Sequence, residues 1–449
     1  MMTTCRLMIL FIASFVCATE RVPAAERHVV VISVDGLPHY LFDDQNTSMP
    51  NLRRLAAEGV RTRAGMIATD PTITWPNHTS LMTGVKADRH GVLYNGALEW
   101  SKDRSLPVRV EPDKTQAQLV RVPLLFDVLA EKGMTSAAIN WPCTAGSKSI
   151  ADNLPDAPRA LAQTTPRLRE ELERSGDARR FEAGNIVVKD EIWAAAACRI
   201  LAERKPSLTC LHLLNVDSTH HKHGPRTVPG ATAVALADAL IGDVLRTIDA
   251  AGLRDSTTVF VVSDHGFAGI PQSINANLIL RDAGYLEVLD DKITKARAQV
   301  VREGGIGQVY FAHDLPDADR AAIKRLLEKA EGVDRVLEPG DYSRYHLPLP
   351  TADRNMGDLV IAAKEGYDVD STLTGSAHVS RNDAGAGAHG FLSSLPNMRA
   401  TFVAWGAGIA RGRTIDEIDN IDLAPTIAHI LGTSLPNAVG RARTDILAD

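Results

Sequence analysis

The stretch HVVVISVDG, residues 28–36, decides the fold of this chain. It is a largely apolar, β-branched run that ends at Asp35 and Gly36. Such a run, without strict alternation of polar residues, is typical of a strand that is buried on both faces of a parallel sheet. A helix pattern follows, with Pro50 at its start and Gly59 after its end. A buried strand followed by a helix is the repeating unit of an α/β fold.

Strand and helix patterns alternate along the rest of the chain. The further patterns are strands at 136–140, 208–216, 257–262 and 400–405, and helices at 123–131 and 231–250. This alternation predicts an α/β fold, a three-layer sandwich with a mainly parallel central sheet. The pattern loosens between about residues 271 and 383, which we interpret as an inserted subdomain with a strand at 308–312 and a helix at 317–330.

The composition is that of a soluble globular protein. The chain has 449 residues, of which 45% are hydrophobic and 23% are charged, with a net charge of −6. We expect no stable nucleic-acid partner, because general affinity for nucleic acids requires a basic surface. Beyond the N-terminal segment the cysteines are Cys143, Cys198 and Cys210, which allow one disulfide at most and are typical of buried free thiols.

The N-terminus has the pattern of an export signal. Arg6 precedes an apolar run at 7–16, and small residues follow it. The run is too short for a comfortable membrane span, and no later segment is apolar enough for one. We therefore expect residues 1–25 to be a signal peptide and residues 26–449 to form one exported domain, periplasmic or extracellular. A retained N-terminal anchor is the alternative.

Three of the predicted strands end in an aspartate, and histidines accompany these aspartates. In an open parallel sheet, ligands bind beyond the carboxyl ends of the strands, so we expect the three carboxylates to meet at one edge. One histidine lies four residues after the second aspartate, one directly follows the third, and one sits in a glycine-rich turn. These residues are Asp35, Asp217, Asp264, His221, His265 and His389.

Carboxylate and imidazole ligands without a thiolate suit zinc, with manganese or iron as alternatives. We predict two divalent metal ions, with Zn2+ as the first choice. One plausible grouping places Asp217, His221 and His389 in one site. The other site then consists of Asp35, Asp264, His265 and the oxygen of Thr74. Two metal ions roughly 4 Å apart form a clamp for in-line displacement at phosphorus.

Thr74 lies in the stretch TITWPNHTS, residues 72–80. Pro76 suits the first turn of a helix, where a missing N–H costs nothing. A hydroxyl at the start of a helix lies beside free backbone amides and the positive end of the helix dipole, which favour an incoming anion. Such a hydroxyl is a weak nucleophile until a base or a metal ion lowers its pKa.

These residues carry a family resemblance. The chain resembles the nucleotide pyrophosphatase/phosphodiesterase branch of the alkaline phosphatase superfamily, in the right order and over nearly the whole mature chain. The matching pieces are Val34–Gly36, Met49–Leu52, Thr74–His78, Thr83 to Asn95, Trp141–Pro142, Asp217–Pro225, Ser263–Gly266, His389–Gly390 and Asp422–Thr426. The resemblance implies an alkaline-phosphatase-like fold and a catalytic domain at 26–449.

The resemblance also implies roles for single residues. Thr74 would be the nucleophile that takes the phosphoryl group, and one metal ion would activate it while the other stabilises the leaving oxygen. The Asn95 side chain would hold a phosphoryl oxygen, and Trp75 could supply a stacking face for a base. Two departures, His220 in place of a glycine and the turn after Trp141 and Pro142, put the substrate in doubt more than the chemistry.

The predicted reaction is hydrolysis of a phosphodiester or pyrophosphate bond in a small phosphorylated substrate such as a nucleotide. A monoesterase needs extra cations beside the transferred group, and Lys148 is the one candidate near the turn after Trp141. A phosphomonoesterase and a phosphonate hydrolase stay open, as does a non-catalytic metal- and phosphate-binding protein. His78 and His90 are assigned to structure, and His212 and His220 are interpreted as spare rather than as ligands.

Overall fold

The computed structural model describes residues 27–101, 106–382 and 385–448. The predicted signal peptide at 1–25 lies outside these ranges, and so does position 383 at the end of the predicted insertion. The division of the chain into these segments stays a prediction.

The core of the fold is an eight-stranded sheet. Its strands are β1 (His28–Val34), β2 (Val60–Thr62), β3 (Ser136–Pro142), β4 (Asp152–Asp156), β5 (Leu208–Leu213), β6 (Thr257–Val262), β7 (Phe402–Gly406) and β8 (Arg413–Ile415). They lie in the order β8-β2-β7-β6-β1-β5-β3-β4. Only β7 runs antiparallel to its neighbours β2 and β6, so the sheet is mainly parallel, as predicted.

The central strand β1 is buried on both faces. Val30, Ile32 and Val34 face one apolar cluster, while Val29 and Val31 face a second cluster on the other side of the sheet. Burial of each such side chain contributes about 1.5–3 kcal/mol. The layers are completed by helices α1 (Pro50–Glu58), α2 (Thr74–Thr83), α3 (Leu125–Glu131), α4 (Ile186–Arg204), α5 (Asn215–His223), α6 (Val228–Ala250) and α7 (Leu423–Ile430). Helices α1, α4 and α6 share the first cluster, and α2, α3 and α7 share the second. The predicted three-layer α/β sandwich is therefore confirmed.

One predicted strand is wrong in its last three residues. The strand expected at 208–216 ends at Leu213, and helix α5 begins at Asn215. The cause is the buried carboxylate of Asp190, which accepts the backbone N–H groups of Leu214 and Asn215 at 2.8 and 3.1 Å. A carboxylate at free amides stabilises the start of a helix. Asp217 therefore lies in the first turn of α5 and not at the end of a strand.

A second region lies within residues 272–381. Its main sheet has four antiparallel strands in the order Ala298–Arg302, Ile306–Phe311, Leu359–Ala363 and Val333–Leu337. Its longest helix, Asp317–Glu328, packs on this sheet through Ile323 and Leu327. Many of its buried residues belong to an apolar cluster separate from the two on the central sheet, while others, such as Tyr310 and Val360, pack with Leu93 and Leu98.

The remaining elements are short or peripheral. The helices are Ala87–His90, Gln116–Leu119, Pro166–Ser175, Asp177–Ala183 and Ala276–Asp282; the strands are Met66–Ile67, Ala97–Trp100, Val108–Glu111, Ala268–Gly269, Gln272–Ile274, Leu286–Leu289, Lys292–Ala296, Tyr367–Val369, Val379–Arg381, Gly387–Ala388 and Ile418–Asp419. Cys143, Cys198 and Cys210 are free thiols.

Among the described residues, one helix is long and apolar enough to cross a membrane, α6 at Val228–Ala250. Half of its most apolar window is buried inside the protein. This helix contradicts the expectation that no segment after the N-terminal run is apolar enough for a membrane span, although core helices of soluble proteins meet the same criterion of length and composition.

Candidate active site

Thr74 is the first residue of helix α2. Ile73 before it is extended, and Pro76 lies in the first turn, where its missing N–H breaks no helical hydrogen bond. Asn77 ties the preceding loop to the helix, since its Oδ1 accepts the Thr69 N–H at 2.7 Å and its Nδ2 donates to the Ile73 carbonyl at 2.9 Å. The hydroxyl thus lies at the positive end of a helix, as the sequence predicts.

Two carboxylates and one imidazole meet at the ends of β1 and β6. Asp35 directly follows β1, and Asp264 lies two residues after β6. His265 Nε2 is 3.4 Å from Asp35 Oδ1 and 3.2 Å from Asp264 Oδ2. The parallel pairing of β1 with β6 brings these ends together, since Ser33 lies opposite Val262.

A second group forms around Asp217. Its Oδ1 is 3.4 Å from His221 Nε2 and 3.5 Å from His389 Nε2. Asp217 and His221 are four residues apart on α5, a spacing that places both on one face of a helix. The ligand atoms of these three residues lie within 4.8 Å of one another, and so do those of Asp35, Asp217 and His265. Asp217 therefore lies close to the ligands of both groups, whereas the predicted grouping assigns it to one site only.

The residues fit metal ions. Asp35 Oδ1, Asp217 Oδ1, Asp264 Oδ2 and His265 Nε2 are buried and have no hydrogen-bond partner within the described residues. Such orphaned polar atoms are costly unless an ion or water satisfies them.

The imidazoles of this site are oriented through their other ring nitrogen. Nδ1 donates to a backbone carbonyl in each of three pairs: His265 to Gly266 at 3.0 Å, His221 to Gly387 at 3.1 Å and His389 to Thr72 at 3.0 Å. Each Nε2 is thereby left without a proton and faces the carboxylates, which is the arrangement of a metal-ligating histidine.

The electrostatics of the site also favour bound metal ions. Burial raises the pKa of Asp35 well above its ordinary value, and the carboxylates of Asp264 and Asp217 raise it further. Burial also raises the pKa of Asp217 and lowers that of His389 well below its usual range. Gathering three carboxylates in a buried site is unfavourable by itself, and positive charge is what would offset it.

Two histidines assigned to other roles touch the metal-type ligands. His212 Nε2 donates to Asp35 Oδ2 at 3.0 Å, and its Nδ1 lies 2.9 Å from the Asn140 carbonyl. His78 Nδ1 lies 2.9 Å from the Thr74 carbonyl and 3.5 Å from Asp264 Oδ2. His212 belongs to neither group of metal-type ligands, but the sequence analysis missed its contact with the site: it holds one Asp35 oxygen while the other faces the site.

His389 is held by a close meeting of two loops. Gly305 N–H donates to the His389 carbonyl at 2.8 Å. A Cβ on Gly304 would lie 2.2 Å from that carbonyl oxygen, and a Cβ on Gly390 would lie 1.7 Å from the Glu303 oxygen. Both glycines have a positive φ, so a side chain would be strained as well as obstructed. The predicted tight backbone around His389 is present, and it binds this loop to the region at 272–381.

Asn95 and Trp75 adjoin the start of α2. Asn95 Oδ1 accepts the Trp75 backbone N–H at 2.9 Å, which leaves its Nδ2 for another acceptor. The Trp75 side chain is only 5% exposed, and its indole N–H donates to Asp156 Oδ2 at 2.8 Å. Trp75 packs with Val92 and Cys143, so a stacking role for it stays a prediction.

Two further histidines, His90 and His220, have contacts outside the ligand groups. His90 is buried, with Nε2 3.0 Å from Ser80 Oγ and Nδ1 accepting the Val92 N–H at 3.1 Å. His220 is buried with Nδ1 3.2 Å from the Gly36 carbonyl, and it belongs to neither group of metal-type ligands.

The comparisons with known proteins agree with this geometry. Residues 29–392 match the model of the Type I phosphodiesterase / nucleotide pyrophosphatase family, and the chain belongs to that family. A bis(5'-adenosyl)-triphosphatase ENPP4 from Bos taurus is 24% identical over 422 residues, which cover 93% of this chain and 80% of that protein. A venom phosphodiesterase from Naja atra is 20% identical over 405 residues, 90% of this chain and 44% of that protein. The chain thus spans less than half the length of that venom enzyme.

Solved structures support the fold. Murine ectonucleotide pyrophosphatase / phosphodiesterase 5, as an inactive variant in complex with AMP, has a TM-score of 0.70 at 18% identity, covering 94% of this chain and 100% of that chain. The human counterpart also has a TM-score of 0.70, at 17% identity, with the same coverage. These likenesses confirm the alkaline-phosphatase-like α/β fold.

Proposed function

We propose that this protein is a metal-dependent hydrolase that cleaves a phosphodiester or pyrophosphate bond through a covalent intermediate on Thr74. The observation that carries the proposal is the set of orphaned ligand atoms on Asp35, Asp217, Asp264 and His265 beside the start of helix α2. Family membership and the names of relatives, which include phosphodiesterases and a bis(5'-adenosyl)-triphosphatase, support the same reaction.

Two divalent cations, Zn2+ as the first choice, would lower the pKa of the hydroxyl and neutralise charge on the phosphoryl group. Asp217, His221 and His389 would hold one of them. Asp35, Asp264 and His265 would hold the other, with Asp217 close to both.

Thr74, Asn95 and the start of α2 have separate roles in the reaction. The Thr74 hydroxyl gives up its proton to solvent and its oxygen attacks phosphorus, so a bond from that oxygen to phosphorus forms while the bond to the leaving oxygen breaks and the leaving oxygen takes up a proton. Water then attacks the phosphothreonine, the bond to Thr74 breaks, and the hydroxyl is regenerated. Asn95 Nδ2 donates to a non-bridging oxygen, where charge increases in the transition state. The positive end of the α2 dipole favours the bound anion, while the Trp75 amide of the first turn is already bonded to Asn95 Oδ1.

A small phosphorylated substrate such as a nucleotide is the proposed partner. The structural relative in complex with AMP supports this class. Export to the periplasm or the cell exterior is likewise a proposal, supported by the apolar run at 7–16 and by the venom and ectonucleotide names of relatives.

The test compares one aryl leaving group as a monoester, a diester and a phosphonate ester, on metal-loaded protein. We expect the diester to be cleaved fastest and a chelator to abolish its cleavage. Thr74→Ala should abolish turnover while metal content, measured on the purified variant, is unchanged. Thr83→Ala is the matched control, because Thr83 lies on the same helix and its hydroxyl donates to the Thr79 carbonyl.

Each alternative has its own outcome in this experiment. A preference for the monoester or the phosphonate ester would move the assignment to those reactions. Bound metal without turnover of any ester would favour the non-catalytic binding protein. Retained turnover in Thr74→Ala would remove Thr74 from the nucleophile role.

A further inference from the structure

A cleft of about 580 Å3 opens beside the second group of metal-type ligands. His221, His389 and Asn95 line its inner end. Its outer walls come from the region at 272–381 and include Arg302, Glu303, Asp368 and Asp370. The cleft therefore starts where the phosphoryl group would bind and extends over a surface on which an ester substituent could lie.

Glu303 lines this cleft, and its backbone carbonyl packs against Gly390, next to His389. It is 7% exposed, and its Oε1 accepts a hydrogen bond from Gln308 Nε2 at 2.6 Å. Its Oε2 is buried and has no hydrogen-bond partner within the described residues. The Tyr94 hydroxyl is bonded to the Tyr310 hydroxyl at 2.5 Å and also interacts with the Glu303 carboxyl, which lowers the pKa of Glu303 by less than burial raises it. A buried carboxyl oxygen without a well-aligned donor is costly, so its presence in a cleft wall favours a ligand group that donates to it.

The position of Glu303 is fixed relative to the site. Its backbone carbonyl meets Gly390 at a separation that leaves no room for a Cβ, and Gly304 packs equally closely on the His389 carbonyl. Burial raises the pKa of Glu303 to about 8, so the group changes its charge in the neutral to mildly alkaline range. A ligand hydroxyl can pair with either form of a carboxyl group, because it both donates and accepts.

The charge of the cleft argues against a second anionic group. Besides Glu303 it contains Asp368, whose carboxylate accepts the Ser273 hydroxyl, and Asp370. Arg302 is the only lysine or arginine among the described lining residues, and its guanidinium lies 3.9 Å from Asp370 Oδ2. A second phosphate would need more cations than this cleft supplies.

We propose, on the basis of the proposed function, that this cleft binds the organic substituent of a phosphate ester through hydroxyl or ammonium groups of that substituent. Glu303 is the contact that determines this specificity, and the cleft disfavours an anionic substituent. Within the proposed reaction, this favours diesters of polyols or amino alcohols over pyrophosphates. Glu303 touches only the substituent, so its role is separate from the bond-breaking step.

Calorimetry on the metal-loaded protein tests the proposal without requiring turnover. The probes share one phosphoryl group: glycerol phosphate, 2-aminoethyl phosphate, propyl phosphate and carboxymethyl phosphate, with inorganic phosphate as the reference. At about pH 9, where a Glu303 carboxyl with a pKa of about 8 is ionised, we expect the first two to bind at least about tenfold more tightly than propyl phosphate, because one hydrogen bond to a charged group contributes a free energy of that size. We expect carboxymethyl phosphate to bind more weakly than propyl phosphate.

A pair of variants isolates Glu303. Glu303→Gln should reduce the advantage of 2-aminoethyl phosphate over propyl phosphate by about tenfold. Glu287→Gln, on the exposed hairpin strand Leu286–Leu289, should leave every ratio unchanged. A gain for glycerol phosphate alone would support a polyol substituent, and a gain for 2-aminoethyl phosphate alone would support an ammonium group.

Equal affinities for the four esters in the unaltered protein would overturn the proposal, even if Glu303→Gln fails to fold. An unchanged ratio of the affinities for 2-aminoethyl phosphate and propyl phosphate in a folded Glu303→Gln variant would also overturn the proposal. Absence of ester hydrolysis alongside a graded affinity series would instead contradict the proposed function and leave the cleft assignment standing.

Discussion

Replacing His212 by phenylalanine should weaken metal binding, although His212 is not itself expected to be a ligand. Its Nε2 donates to Asp35 Oδ2 at 3.0 Å, and its Nδ1 lies 2.9 Å from the Asn140 carbonyl. Asp35 and His212 are fully buried, and Asn140 is 2% exposed, so water cannot replace the lost bonds. Asp35 would keep its carboxylate but lose the contact that directs Oδ1 towards the metal site.

The magnitude follows from these contacts. Loss of a partner that orients a metal ligand typically costs about 10- to 100-fold in metal affinity. Each buried acceptor left without a donor also destabilises the fold by about 1–3 kcal/mol. His212→Phe should therefore lower both the metal affinity and the free energy of unfolding of the metal-free protein.

The assay must separate these two effects. Metal affinity is measured by titration of metal-free protein against a competing chelator, and stability by urea denaturation. His90→Phe is the matched control, because His90 is equally buried and also has two hydrogen bonds, but it touches no metal-type ligand. We expect His90→Phe to lose stability and keep its metal affinity. His212→Gln, which retains an N–H donor, should recover part of the affinity. Equal metal affinity in His212→Phe and the unaltered protein would refute the orienting role.

Three further changes have expected outcomes. Thr74→Ser should retain part of the diesterase activity that Thr74→Ala loses, because the nucleophilic oxygen remains; equal loss in both would contradict the nucleophile role. Asn95→Ala should slow diester hydrolysis about 10²- to 10³-fold, as loss of one oxyanion donor does, with unchanged metal content measured in parallel. Glu303→Gln should gain stability relative to the unaltered protein as the pH rises from 5 to 8. The folded-state pKa of Glu303 is raised from 4.5 to about 8, so the folded protein binds the extra proton in this range and loses stability as the pH rises. Urea denaturation at both pH values measures this difference, and a constant difference would contradict it.

The predictions from sequence that hold rest on local patterns. The run at 28–34 consists mostly of apolar residues, which predicts a strand buried on both faces. In the structure, each face of this strand packs against an apolar cluster. Thr74 begins a helix because Pro76 and the residues around it favour that start. The family motifs predicted family membership, which the match over residues 29–392 confirms. The roles of the site residues remain predictions for the experiments above.

The errors and omissions depend on contacts between distant segments. Asp217 lies on a helix because Asp190, 27 positions earlier, binds the amides at the start of α5. His212 touches Asp35 because the register of β5 on β1 places it opposite Ser33. A lone histidine in the strand LTCLHL carries no local signal of that partner.

By itself, the sequence determined the alternation of buried strands and helices that gives the α/β fold, and the identity of the family, because periodicity and motif spacing are properties of neighbouring residues. Only the tertiary structure decided that Asp217 lies between both ligand groups, that His212 supports Asp35, and that Glu303 faces the cleft beside His389. Those relations depend on strand register and on the meeting of loops separated by 86 positions, from Glu303 to His389, which no local pattern encodes.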